Sequence, residues 1–303
     1  MKENHTKSVV TIGTFDGVHL GHQKIIRKLT KTAKEKQLKS IVLTFFPHPR
    51  MVLQKNANIQ LLNTIEERKK LLYGFGIDDI HIQKFTKEFS ELSAESFVKT
   101  LLVDKLNAKH IIIGYDHQFG KNRSAGIDDL KIFGKQFGFE VEEISVQDID
   151  DVAVSSTKIR NALNQGDITT ANSYLGYQYF LTGIIIKGKG LGRQIDFPTA
   201  NISIDETYKL IPKQGVYVVK TNIESKTVFG MMNIGINPTV NGKEQSIEVH
   251  LFDFNSDIYG KKLKVELLHR LRKEHHFESV DDLKNQLHLD KQDALNLIAA
   301  AND

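Results

Sequence analysis

The stretch "GTFDGVHLGH" (residues 13–22) decides the fold of the first half of this chain. It follows the apolar run "VVTI" (9–12) and leads into the amphipathic run "HQKIIRKLTKTAKEKQ" (22–37). This pattern predicts a strand that turns at glycines into a helix. Such a turn directs backbone N–H groups and the positive helix end at the space above it, which favours bound phosphate.

Two histidines in this stretch, His19 and His22, stand three residues apart at the predicted helix start and therefore on one face. Beside an anion site, two such donors can stabilise charge that builds on a phosphorus centre. The same spacing also suits surface histidines on a tight turn. A zinc site is disfavoured, because no third ligand is spaced nearby and the chain has no cysteine.

Composition indicates a cytoplasmic protein of two domains. The chain has 303 residues, of which 40% are hydrophobic and 26% charged, and no stretch approaches a membrane span. The polar start "MKENHTKS" lacks an apolar signal region, and without cysteine there are no disulfides. A net charge of +4 is too mild to indicate nucleic-acid binding. We therefore expect small-molecule partners, no nucleic acid and no membrane, and a homo-oligomer stays open.

The pattern of apolar runs changes near residue 180. From residue 8 to about 160, short apolar runs alternate with amphipathic stretches, which predicts βαβ units in a doubly wound parallel sheet, an α/β domain. From about 181, strand-like pieces separated by Gly, Pro and Asn predict an antiparallel barrel or sandwich, closed by a terminal helix. The segment 161–179 is predicted as a connecting helix and linker. The expected domains are therefore 1–180 and 181–303.

Two further polar segments, "FPHPR" (46–50) and "GYDHQFG" (114–120), follow apolar runs in the first half. Because ligands of such sheets bind outside the carboxyl ends of the strands, we expect both segments to join the histidines at that edge. A third segment, "VSSTKIRNAL" (154–163), places hydroxyl residues suited to capping before a helix that carries Arg160. It is either a plain helix cap or an anion clamp suited to pyrophosphate.

These four segments, in this order, resemble the bacterial FMN adenylyltransferases of the nucleotidylyltransferase superfamily, whose signature is H-x-G-H. The resemblance implies a Rossmann-like domain in which the phosphate of FMN attacks the α-phosphorus of ATP, giving FAD and pyrophosphate. It implies charge stabilisation by His19, His22 and Arg160, and flavin contacts from Pro47 and His48. The residues it places at ATP or its phosphates are Gly13, Phe15, Asp16, Gly17, Gly21, Asp116, Ser155, Ser156 and Thr157.

The second half contains "GKGLGRQIDFPTANI" (188–202), a glycine-rich turn before "FPTAN". By itself the turn is weak evidence for phosphate binding. "FPTAN" resembles the signature of riboflavin kinases, and "GVY" (215–217), "NIGINPT" (233–239) and "IEVHLFDF" (247–254) follow the same family pattern. The resemblance implies a β-barrel kinase that makes FMN from riboflavin and ATP. The implied site residues are Thr199 and Asn201 for Mg²⁺, Gly188, Gly190 and Arg193 for ATP, Arg272 for flavin, and Glu248 as base.

Alternation along "SIEVHLFDF" predicts Glu248, His250 and Phe252 on one face of a strand, where a glutamate can accept the proton of an attacking hydroxyl. One departure stands out: Asp196 occupies the position at which the family has glycine. If that position needs a positive φ, Asp adopts it at some cost. Its charge could also either repel ATP or help to hold magnesium, so kinase efficiency is in question.

The resemblance spans essentially the whole chain and implies a bifunctional riboflavin kinase/FMN adenylyltransferase. One alternative is an adenylyltransferase whose kinase domain has degenerated into a flavin-binding module. Another is a non-catalytic flavin sensor or nucleic-acid-binding protein, against which the mild charge and the lack of an aromatic-basic stripe argue.

Overall fold

The computed structural model describes residues 6–54, 59–114, 117–144, 154–188, 192, 195–239 and 242–300. The side chains of 237–239 and 242–244 are left out of the description. Two compact units, Met1–Ser156 and Thr157–Asp303, make up the chain. Within the described ranges, no helix has both the length and the apolar character needed to cross a membrane.

The first unit is a doubly wound α/β domain, which confirms the predicted fold. Its five strands are all parallel and lie in the order β3-β2-β1-β4-β5. They are β1 (Ser8–Ile12), β2 (Lys39–Phe46), β3 (Asp79–Lys84), β4 (Ala108–Gly114) and β5 (Glu140–Ile144). The helices are α1 (Leu20–Lys36), α2 (Pro49–Leu53), α3 (Ile65–Gly74), α4 (Lys87–Ser90), α5 (Ala94–Phe97) and α6 (Ile127–Phe137), with a π-helix Val98–Lys105 and a 3₁₀ turn Lys121–Arg123.

Each face of this sheet has its own apolar core, because successive strand side chains point to opposite faces. Val9 packs with Ile26 and Leu29 of α1, whereas its neighbour Val10 belongs to the cluster formed with α6 and the π-helix. Helices on both faces leave the strand ends as the place where loops can gather. Since β2, β1 and β4 are parallel neighbours, their carboxyl ends, from which the three motifs continue, share one edge of the sheet.

The second unit is a closed antiparallel barrel, which decides between the barrel and the sandwich. Its strand order is β10-β7-β6-β11-β8-β9. The strands are β6 (Phe180–Ile186), β7 (Ala200–Ser203), β8 (Gly215–Ile223), β9 (Lys226–Thr239), β10 (Gly242–Leu251) and β11 (Lys262–Arg272). The helices are α7 (Ser156–Gln165), α8 (Ile168–Leu175) and the predicted terminal helix, α9 (Val280–Ala300).

Helices pack on the outside of the barrel. Ala294 of α9 is buried against barrel residues that include Val218 and Met231. The predicted single connecting helix is two helices, α7 and α8, because Gly166 takes a φ of 80° between them. The amide of Asn172 in α8 donates to the carbonyl of Leu267 on β11 at 3.0 Å. The functional division after residue 180 remains a prediction.

Candidate active sites

The turn after β1 has an unusual backbone that presents His19 at the start of α1. Phe15, Gly17 and Val18 have φ values of 48°, 87° and 40°, in the left-handed region that favours glycine. Phe15 and Val18 are nevertheless buried in the apolar core, which compensates for their conformation. A side chain at Gly13 would press against the ring of Phe15 at 3.0 Å, so the absence of a side chain there lets the turn close.

The two histidines of the motif form a stacked pair. Their ring centroids lie 3.6 Å apart, and the backbone N–H of His22 donates to Nδ1 of His19 at 3.4 Å, which caps α1. Burial is the main cause that holds the pKa of His22 well below its usual value, and the nearby His19 and Arg68 lower this pKa further. At neutral pH His22 is therefore a neutral imidazole, which can still donate a hydrogen bond to a phosphate oxygen. The predicted pairing of His19 with His22 is present.

Asp16 is part of this turn, and its side chain is buried. Its carboxylate accepts hydrogen bonds from the backbone N–H groups of Leu62 and Asn63, at 3.0 and 3.3 Å. The hydroxyl of Ser156 donates to the backbone carbonyl of Asp16 at 2.8 Å. These contacts join three separate segments of the first unit at the motif. Contact of Asp16 and Ser156 with ATP stays a prediction.

The segment after β2 places Pro47 and His48 at the same sheet edge as the histidine pair, both half-buried. His48 caps α2, and its Nδ1 accepts from the N–H of Arg50 at 3.2 Å. Their contact with flavin stays a prediction. Gly21 is buried within the first turn of α1. Asp116, the predicted nucleotide contact after β4, lies outside the described residues.

The predicted pyrophosphate clamp sits where the two units meet in sequence. Ser155 directly precedes α7, Thr157 stands in its first turn, and Arg160 follows one turn later with its side chain partly exposed. Thr157 and Arg160 belong to the second unit, whereas Ser155 and Ser156 belong to the first. A clamp built from these residues stays a prediction.

On the barrel, the predicted kinase residues come together. Asn201 of β7 stands directly opposite Glu248 of β10 in the strand register, and Thr199 donates from its hydroxyl to Oε2 of Glu248 at 3.2 Å. The predicted alternation holds from Glu248 to Leu251: Val249 and Leu251 are buried, whereas Glu248 and His250 are partly exposed on the other face. It does not extend to Phe252, because β10 ends at Leu251 and Phe252 is buried. Three oxygen-bearing side chains therefore meet on one patch of the barrel.

This patch suits a hard divalent cation bound together with a nucleotide. A side chain at Gly188 would occupy the space taken by the amide of Asn201, so glycine there keeps that amide in place. Mg²⁺ takes oxygen ligands and retains waters, and it is often bound through one or two protein groups plus substrate phosphates. No cluster of three His, Asp or Glu residues able to hold a metal occurs in the described part of the chain. Gly190 and Arg193 lie outside the described residues.

Asp196 adopts the conformation that glycine favours, with a φ of 67°. Its carboxylate forms an ion pair with Lys284 of α9 at 2.8 Å, and the hydrogen bond and charge of Lys284 hold the pKa of Asp196 below its usual range. The adjacent Phe197 packs edge-on against His288 of α9, with ring centroids 5.0 Å apart. The segment that leads to Thr199 is therefore joined to the terminal helix by both a charged and an aromatic contact.

Arg272, the predicted flavin residue, makes a two-pronged ion pair with Asp290 of α9. Its Nε and Nη2 donate to the two carboxylate oxygens at 2.8 and 2.7 Å. Asp290 is buried, so the pair fixes the end of β11 to the terminal helix. The remaining guanidinium nitrogen, Nη1, donates to the backbone carbonyl of Lys273 at 3.1 Å. Contact between Arg272 and flavin stays a prediction.

Three residues that form ion pairs with predicted site residues were not predicted from the sequence: Arg68, Lys284 and Asp290. Each lies on an amphipathic helix among many charged residues of the same kind. The only available signal was the "T-x-x-E" sequence at Thr64 and Glu67, which marks the start of α3 as a capping box and so fixes which turn carries Arg68.

Comparison with known families assigns both halves of the chain. The FAD synthetase family matches residues 1–158, and the riboflavin kinase family matches residues 175–298. The first match covers the histidine motif and the second covers the patch around Glu248.

Individual relatives match along nearly the full length. A bifunctional riboflavin kinase/FMN adenylyltransferase from Bacillus subtilis is 39% identical, covering 97% of this chain and 94% of the relative. The protein of that name from Haemophilus influenzae is 41% identical, with coverage of 94% and 92%. Among solved structures, a Streptococcus pneumoniae crystal structure described as a macrolide-efflux protein has a TM-score of 0.86 and 33% identity, covering 96% of this chain and 94% of that one.

Proposed function

Since this chain belongs to the family of bifunctional riboflavin kinases/FMN adenylyltransferases, we infer that it makes both flavin cofactors. It phosphorylates riboflavin with ATP to give FMN, and it adenylylates FMN with a second ATP to give FAD and pyrophosphate. The observation that carries this function is the presence of both families in one chain, in order and over nearly its whole length. The reading with a degenerate kinase is not favoured.

In the kinase reaction, we assign Glu248 as the general base. The riboflavin 5′-hydroxyl attacks the γ-phosphorus of ATP, the bond to the β-phosphate oxygen breaks, and ADP leaves. A neutral hydroxyl is a weak nucleophile, so a carboxylate that accepts its proton assists the attack. The hydrogen bond from Thr199 fixes the orientation of the Glu248 carboxylate.

In the adenylyltransferase reaction, the attacking phosphate of FMN is already an anion and needs no base. Catalysis then depends on positioning and on donors aimed at the charge that develops around the α-phosphorus. The stacked pair His19 and His22 supplies such donors at the positive end of α1. Arg160 on α7 is assigned to the leaving pyrophosphate.

We also propose that Thr199 and Asn201 hold Mg²⁺ when ATP is bound. The cation would neutralise phosphate charge, which supports attack by an oxygen nucleophile. The oxygen donors beside Glu248 and the space that Gly188 leaves for Asn201 support this assignment. The adenylyltransferase function is assigned to residues 1–180 and the kinase to 181–303, in a cytoplasmic enzyme whose partners are its small-molecule substrates.

The function is tested by following flavins chromatographically while the full chain acts on riboflavin, ATP and Mg²⁺. We expect FMN to rise first and FAD to follow, with pyrophosphate released in step with FAD. Reactions that start from FMN should give FAD directly, and omission of Mg²⁺ should stop both. FAD formed only from supplied FMN would mean that the kinase domain has degenerated.

The contact between Asp196 and Lys284 predicts the effect of restoring glycine. The Asp196→Gly substitution breaks the ion pair with Lys284 and removes one negative charge from the segment before Thr199. Because that charge opposes the approach of nucleotide phosphates, the KM of the kinase for ATP should fall a few-fold. FAD formation from supplied FMN should not change. A matched control is Asp205→Gly, an exposed carboxylate after β7, and identical kinase titrations for all three proteins would contradict the prediction.

A further inference from the structure

The aspartate of the histidine motif, Asp16, forms a buried ion pair with Arg68 of α3. Nη2 of Arg68, on α3, contacts Oδ1 of Asp16 at 3.4 Å, and both side chains are only 1% exposed. Neither family resemblance nor spacing pointed to Arg68. A charged pair removed from water to this degree costs desolvation energy, and it contributes little to stability compared with apolar packing. A role at the neighbouring site accounts better for its presence.

The ion pair supports the backbone that carries the histidines. Asp16 lies between Phe15 and Gly17, within the run of positive φ values. Backbone in these regions persists only where the surrounding structure determines it, and such residues cluster at functional sites. Asp16 is held from the α3 side by Arg68 and by the N–H groups of Leu62 and Asn63.

The same guanidinium acts electrostatically on the histidine pair. The titratable groups that act on His22 are His19, stacked upon it, and Arg68 from α3, while Asp16 is the partner of Arg68. Both neighbours oppose a positive charge on His22, in addition to its burial. One ring nitrogen of His22, Nδ1, is buried without a hydrogen-bond partner among the described residues.

We propose that Arg68 is a positioning residue for adenylyl transfer, which holds the loop of Phe15 to Val18 through Asp16 and thereby orients the stacked histidines. The proposal rests on the proposed adenylyltransferase function of this loop. As a consequence, Arg68 also keeps His22 a neutral hydrogen-bond donor until the triphosphate binds. When the anionic substrate binds, His22 is therefore already correctly oriented and neutral.

The test uses the full chain and the substitutions Arg68→Met and Arg68→Lys. The control is Lys69→Met, because Lys69 is the next residue of α3 but pairs with Glu66 at the surface. The pKa of His22 is read by NMR of histidine-labelled protein, assigned with His22→Gln. FAD formation from FMN is measured across pH, and riboflavin phosphorylation reports on the barrel.

In Arg68→Met we expect the pKa of His22 to rise and the acid limb of the FAD-forming rate to move to higher pH. The kcat for FAD should fall between about 10- and 100-fold, the scale of a small misplacement of catalytic groups, with less change in KM for ATP. Arg68→Lys keeps the charge and should retain the low pKa and most of the rate. Lys69→Met should match wild type throughout.

A wild-type His22 pKa in the ordinary histidine range overturns the proposal, and so does an unmoved acid limb in Arg68→Met. If the Met variant does not fold, a raised His22 pKa in the charge-conserving Lys variant overturns it as well. The NMR readout needs no turnover. A wild-type chain that makes no FAD would therefore refute the proposed function and leave the structural test of Arg68 intact.

Discussion

Riboflavin phosphorylation is expected to fall by about 10²- to 10⁴-fold in a Glu248→Gln variant, the usual contribution of a positioned general base. Glutamine keeps an oxygen that can accept the hydrogen bond from Thr199, which lies 3.2 Å from Oε2 of Glu248. It also keeps the pairing with Asn201 across the strands, since that register depends on the backbone. The variant thus removes the proton acceptor with little change of geometry. The measurement is the initial rate of FMN formation at saturating ATP and Mg²⁺.

FAD formation from supplied FMN is the internal control for Glu248→Gln and should keep its wild-type rate. A matched control is Glu266→Gln on β11, where the partly exposed glutamate pairs with Lys264 and Lys220 and should be dispensable. Normal phosphorylation by the Glu248→Gln variant would remove Glu248 from the role of base. Loss of both reactions together would instead show that the two activities are not separable between the domains.

The sequence predicted most of the secondary structure, because burial imposes different periods on strands and helices. The alternating runs of the first half correspond to β1–β5 and their helices, and the change near residue 180 corresponds to the barrel. β7 (Ala200–Ser203) was missed, since four residues that begin inside "FPTAN" show too little alternation. One amphipathic stretch of the first half, 93–106, contains α5 followed by a π-helix, a difference of hydrogen bonding that side-chain patterning does not encode.

Motif residues and their partners differed in how well they could be predicted. His19, His22, Thr199, Asn201 and Glu248 lie within short recognisable segments, so their positions followed from the local sequence. Arg68, Lys284 and Asp290 act through contacts with residues that are 52, 88 and 18 positions away. Nothing local distinguishes them from the other charged residues on helix surfaces. Only the fold selects which of those residues comes to lie beside a motif.

The two reactions place different demands on their sites, and the described residues reflect this difference. The kinase reaction starts from a neutral hydroxyl, and its assigned site contains a carboxylate on an accessible barrel face. The adenylyl transfer starts from an anion, and its assigned site contains a neutral histidine at a positive helix end above a buried arginine. Proton removal is needed in the first site and charge stabilisation in the second.

Replacement of His22 by alanine should lower FAD formation by about 10²- to 10³-fold, the cost of losing one donor that acts on the transition state. The imidazole is stacked on His19 at 3.6 Å, and its pKa is held well below the usual value by burial and by His19 and Arg68. It is therefore a neutral donor over the physiological pH range, and protonation of the free enzyme matters only in acid. The loss should thus be nearly constant from pH 6.5 to 8, about the range above the ordinary histidine pKa. The measurement is kcat for FAD formation from FMN across that range.

Riboflavin phosphorylation by His22→Ala should continue at the wild-type rate, since the assigned kinase residues all lie in the other unit. A suitable control is His81→Ala on β3, because burial also lowers the pKa of His81 and it belongs to the same unit. If both histidine variants lose FAD formation equally, the loss comes from the fold and not from the reaction. A loss that disappears as the pH rises would show that His22 acts as a charged group, because only a protonated imidazole is titrated away by alkali.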